Sequence, residues 1–145
     1  MTGIEIERRT YGAHGLVRGY DPDGKPNPSW PELAAHAIRA ICHLTRSHPA
    51  IPAPVLYEIL GNLQDLGHQL PQALDQLSHG LARSLTEYDI YDEPGTDPHD
   101  NVSRVQAALD TAASHSRTLA GQLDTAQAAI ARQGLRIPAE LTRDT

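Results

Sequence analysis

Eight histidines in 145 residues are enough to raise the question of metal chemistry. Zinc asks for three or four N, S or O ligands converging at about 2 Å. The spacing closest to that demand is Glu32 with His36 one helical turn later, followed by Cys42 and His43. Adjacent residues on a helix point about 100° apart, so Cys42 and His43 do not aim at one ion. No His-Glu-x-x-His, Cys-x-x-Cys or Glu-x-x-His pattern occurs, and the other histidines fall in loops and polar positions. His36 and His43 are the residues on which a metal site would have to be built. Surface histidine is the expected role of both, with no metal, cofactor or catalytic residue assigned.

The single cysteine, Cys42, rules out an internal disulfide and any Cys-only zinc site. A nucleophilic thiol needs a positively biased, partly exposed setting and a base nearby. Cys42 lies beside an apolar stripe, so a small buried core thiol is expected.

Glu87 to Asp100 holds six acids and no Lys or Arg. Calcium loops need oxygen ligands at alternate positions, a central Gly and a bidentate Glu at the end, and this stretch lacks that spacing. Paired carboxylates such as Asp92 and Glu93 can do acid–base work only where burial tunes them, which a solvated loop does not provide. If the loop has a role, it is as a docking surface for a basic partner protein, formed by Asp89, Asp92, Glu93 and Asp97. Glycine-rich phosphate loops and the Gly-x-Ser-x-Gly elbow are absent.

The formal net charge is −6, and outside the acidic stretch acids and bases balance. Nonspecific nucleic-acid binding requires a surplus of Lys and Arg to replace phosphate counterions. No such surplus exists, so direct nucleic-acid binding is not expected. Eleven of the twelve bases are Arg, which fits a GC-rich, bacterial genome. An apolar fraction of 39% and a mean hydropathy of −0.43 suit one soluble domain with a modest core. No apolar run is long enough to span a membrane, and the first residues do not resemble a signal peptide, so a cytoplasmic location is expected. Phe is absent, which leaves Leu, Ile, Val and Ala to build the core.

The elements that must position these residues are mostly helical. Residues 1–28 read as an arm or short β-hairpin, with alternation over Ile4–Glu7, a candidate strand over Leu16–Tyr20 and a turn at Asp21-Pro22-Asp23-Gly24. Ser29 and Glu32 form a capping box, with Pro31 in the first turn. The stripe Leu33, Ala34, Ala37, Ile38, Ile41 and Leu44 follows, and Pro49 ends the helix. Pro52 and Pro54 open the next segment. Gly67 reads as its stop and Pro71 as the first turn of another helix, with one longer helix kinked near Pro71 as the alternative. Asp97 or Thr96 caps a last helix ending at Gly134. In that helix Val102, Val105, Leu109, Ala112, Ser116, Leu119, Leu123, Ala126 and Ile130 recur at steps of three and four. Many small residues flank this heptad line, so neighbouring helices can approach closely.

The expected fold is all-α, an antiparallel four-helix bundle over residues 29–134, with an N-terminal arm (1–28) and a C-terminal tail (135–145). A last helix of about 50 Å would overhang three shorter ones. That predicts a non-enzymatic interaction or scaffold protein, a homodimer formed through Val102, Leu109, Leu119, Leu123 and Ile130. The alternatives are a small DNA-associated regulator with a helix-turn-helix-like segment at 55–85, or a His-based metal-binding bundle. The segment 55–85 carries little positive charge on its outer face, as a recognition helix would need.

Overall fold

Asp21 organises the first element. Its carbonyl accepts from the Gly24 N–H at 2.9 Å, its N–H donates to the Lys25 carbonyl at 2.9 Å, and its Oδ1 accepts from the Lys25 N–H at 2.7 Å. Gly24 sits at φ +76°, where a residue without Cβ is favoured. This five-residue loop closes a small antiparallel hairpin of β1 (Gly19–Tyr20) and β2 (Pro26–Asn27), with Gly19 opposite Asn27 and Tyr20 opposite Pro26. The computed structural model describes residues 15–93 and 95–137. The strand signature at Ile4–Glu7 and most of the 135–145 tail lie outside them.

Three helices follow among the described residues: α1 (Trp30–Ser47), α2 (Ala53–Glu87) and α3 (Pro98–Ile130). The chain divides into two compact units at Ile51–Pro52, so α1 goes with the hairpin, and α2 and α3 form the second unit. In the first unit the capping box forms as its residue types predict. The Ser29 N–H donates to Glu32 Oε2 at 2.8 Å, and the Glu32 N–H to Ser29 Oγ at 3.3 Å. No residue of α1 is buried. Cys42 is accordingly exposed, against the expectation of a core thiol.

The expected four-helix bundle is not the fold of this chain. Gly67 and Pro71 lie inside one continuous helix of 35 residues. An interior proline removes the N–H that would bond to the carbonyl four residues earlier, and its ring crowds that carbonyl. Here that carbonyl belongs to Gly67, and the Ser116 hydroxyl of α3 donates to it at 2.8 Å. The defect introduced by Pro71 is thus repaired from the neighbouring helix, and the helix continues.

Helices α2 and α3 pack antiparallel, and their contact is built from small residues. Gly67, Pro71 and Ser78 are buried on α2, and Val102, Ala113, Ser116 and Ala120 on α3. A Cβ placed on Gly67 would meet the Ala120 Cβ at 3.1 Å and its backbone at 3.3 Å, so any larger residue here would have to push α3 back by a few tenths of an ångström. Further along, Gln127 Nε2 donates to the Tyr57 carbonyl at 2.9 Å.

Candidate interaction surface

The α2–α3 contact fixes which side of α3 is used. Val102, Leu109, Ser116, Leu123 and Ile130 recur every seven residues, buried or half-buried, as the heptad period predicts. The alternate line of the seam is shifted by one residue from expectation. It runs through Gln106, Ala113, Ala120 and Gln127, while Val105, Leu119 and Ala126 are exposed and Ala112 alone of the expected line is half-buried. Both registers keep the heptad period. The shifted one wins because Ala113 and Ala120 admit Gly67 and Pro71 closely, which Leu119 would not.

The same division appears on α2. Leu60, Gln64, Gly67, Pro71, Leu74, Ser78 and Leu85 are buried or half-buried at steps of three, four and seven. A second apolar line, Ile59, Leu63, Leu66, Leu70, Ala73 and Leu77, stands about 100° further round, with steps of four and three. Its outer members are open: Leu66 is 40% exposed, Leu70 39% and Leu77 54%. On α3, Val105 is 40% and Leu119 48% exposed. On each helix the second line is displaced from the seam in the same rotational sense. In an antiparallel pair that places both lines on one side of the hairpin. A cavity of about 220 Å³ at the loop end of the seam is lined by Leu81, Ser84 and Leu85 of α2, Ile90 of the loop, and Val102 and Val105 of α3.

The five predicted interface residues therefore separate. Val102 is buried, and Leu109, Leu123 and Ile130 share its half-buried line toward α2. Leu119 stands on the open side. The overhang argument does not survive, because α2 has 35 residues against 33 in α3 and runs beside it. What sequence reasoning missed is the open pairing of Leu66, Leu70 and Leu77 with Val105 and Leu119. Its signal was present as two adjacent apolar lines on α2.

In the connecting loop, Asp97 caps α3 by accepting from the His99 N–H at 3.0 Å. Asp92 accepts from the Thr96 hydroxyl at 3.0 Å and from the Asn101 amide, and is half-buried. Of the four acidic docking candidates, Asp92 and Asp97 thus serve the chain's own turn, while Asp89 and Glu93 are exposed. His36 and His43 are exposed on α1, and among the described residues no three His, Cys, Asp or Glu side chains are placed to hold a metal ion. Residues 55–85 lie within α2, so the turn that would set a recognition helix is not formed. Among the described residues no helix is long and apolar enough to cross a membrane.

Among the described residues, the carboxylate held furthest from its ordinary value is in the first unit. Arg18 Nε donates to Glu32 Oε1 at 2.9 Å, and this bond, with the Ser29 N–H on the other oxygen, lowers the Glu32 pKa to about 2. The pair is exposed and tied to the cap, which is a structural role. Comparison of the chain with protein families, curated proteins and solved structures finds no match.

Proposed function

We infer that this is a non-enzymatic helical interaction protein of the cytoplasm that works as a homodimer, with the α2–α3 hairpin as its assembly element. One observation carries the reading. The hairpin has two helices of about 50 Å, yet among its described residues the buried apolar ones are Val102, Ala113 and Ala120 with Gly67 and Pro71, and no large side chain is fully buried. Monomeric proteins keep contiguous apolar patches to a few hundred Å² at most, and a pair of helices with so small a core draws much of its stability from what covers the rest.

Light scattering across a concentration series tests this on the full chain. The expected result is a mass of about twice 15.7 kDa at micromolar concentration, falling toward the monomer on dilution. A monomer throughout the range would end the homodimer reading.

A further inference from the structure

We propose that a second copy of this chain docks on the open side of the α2–α3 hairpin, so that two hairpins close one four-helix bundle. The inference rests on the homodimer reading and adds the surface. Leu66, Leu70 and Leu77 of α2 and Val105 and Leu119 of α3 form the face, all at heptad-compatible steps, the geometry that packs helices side by side at shallow angles.

Charge favours a second copy as the occupant. Each chain carries a net −6, so two identical surfaces can meet only where like charges are kept away. Asp75 of α2 and Asp110, Arg117 and Asp124 of α3 occupy lines on the far side of the hairpin, about 100° beyond the seam. The open face is bordered by Asn62, Gln69, Gln76 and Gln122 and by charges of both signs, Glu58 and Asp65 on α2 and Arg104 on α3, so it carries no single-sign field. Of the bases near this border, Arg83 is paired with Glu87 at 3.1 Å and Arg104 adjoins Val105. A membrane surface would call for a surplus of Lys and Arg along the rim, and here Arg83 and Arg104 are matched by Glu58, Asp65 and Glu87.

The area is also sufficient. From Ile59 to Leu81 the apolar stretch runs about 33 Å at roughly 1.5 Å per residue, and two adjacent helices are about 20 Å wide. Each copy then contributes about 650 Å², and the pair about 1,300 Å², within the range of specific stable interfaces. A two-fold pairing of this face with itself closes the assembly and leaves no further copy to add.

The test compares full-length variants by light scattering, with far-UV circular dichroism as the control for folding. Leu70→Gln combined with Leu119→Gln should weaken the dimer Kd by at least about 100-fold while helicity is kept, since both side chains are exposed in the single chain. Leu66→Gln combined with Val105→Gln is the second pair and should act in the same direction. Asp110→Asn with Arg117→Gln, on the far side, should leave the Kd within about threefold. If the wild type is a dimer and both face pairs dimerise as tightly as it does, this surface is wrong while self-association stands. A wild type that stays monomeric overturns both statements, and a mass of three or more copies overturns the closed pair.

Discussion

The two units hold their shape by different means. In the first, the defining bonds span no more than fourteen positions: the Asp21–Gly24 turn, the Ser29–Glu32 box, and the Arg18–Glu32 pair that ties the start of the hairpin to the helix start. None of α1 is buried, so these polar contacts fix geometry without a core behind them. In the second, the defining contacts join residues far apart in sequence, such as Ser116 with Gly67 and Gln127 with Tyr57. They depend on close approach of two backbones. Local chemistry can set a turn or a cap, but a long helical hairpin needs a fit between two surfaces. A substitution that alters only volume should therefore be tolerated in the first unit and damaging in the second.

The largest expected effect tests that asymmetry directly. Ala120 is fully buried against Gly67. Ala120→Leu adds three carbons where the neighbour is backbone and cannot turn aside, and should destabilise the hairpin by about 3 kcal/mol. The same change at Ala37, exposed on α1, should stay within about 0.5 kcal/mol. Chemical denaturation of both variants gives the two numbers. Equal losses would erase the distinction between the units.

A smaller effect sharpens the account of how α2 survives its proline. Ser116→Ala leaves the Gly67 carbonyl buried with no donor, at an expected loss of about 2 kcal/mol. Pro71→Ala restores the N–H that the carbonyl otherwise lacks. In that background Ser116→Ala should cost less than about 0.5 kcal/mol, because the helix now satisfies its own carbonyl. The double-mutant cycle measures the difference. If the two losses add, Ser116 is an ordinary packing residue and the repair does not exist.

Sequence legibility follows the same line. The turn at Asp21–Gly24, the capping box and the Asp97 cap could all be read, because each is a rule about residues within a few positions of one another. The heptad period of α3 was also legible, but its register was not. Val105, Ala112 and Leu119 on one side and Ala113 and Ala120 on the other are both apolar lines. Only the partner helix decides between them. Gly67 and Pro71 misled for a related reason. Each is a helix terminator by local propensity, and the residues that overrule that propensity, Ser116 and Ala120, lie about fifty positions away. The Arg18–Glu32 pair gave no signal either, since only the hairpin brings Arg18 to the start of α1. The open face went unread because it consists of what the hairpin contact leaves over, and that contact had been assigned to the wrong line.

The smallest effect belongs to the first unit and is a matter of pH. Glu32 has its carboxylate held below its ordinary value of 4.5, first by the Arg18 bond and then by the Ser29 N–H. A depressed carboxylate contributes stability that is complete above the unfolded value and is lost as the pH falls through the folded one. The window here is therefore from pH 4.5 down to about 2, and near neutrality the contribution is constant. An NMR titration of the Glu32 side-chain carboxyl should show a midpoint near 2 in the wild type. Arg18→Gln should raise it without returning it to 4.5, because the Ser29 bond remains. Added salt should move the wild type in the same direction, since the pair is exposed and screened. The two side-chain bonds that join α2 to α3 should be insensitive across this window, because they are made by a hydroxyl and an amide that do not titrate. A wild-type midpoint at 4 or above would mean that the ion pair is not formed in solution, and the first unit would then rest on its turn and cap alone.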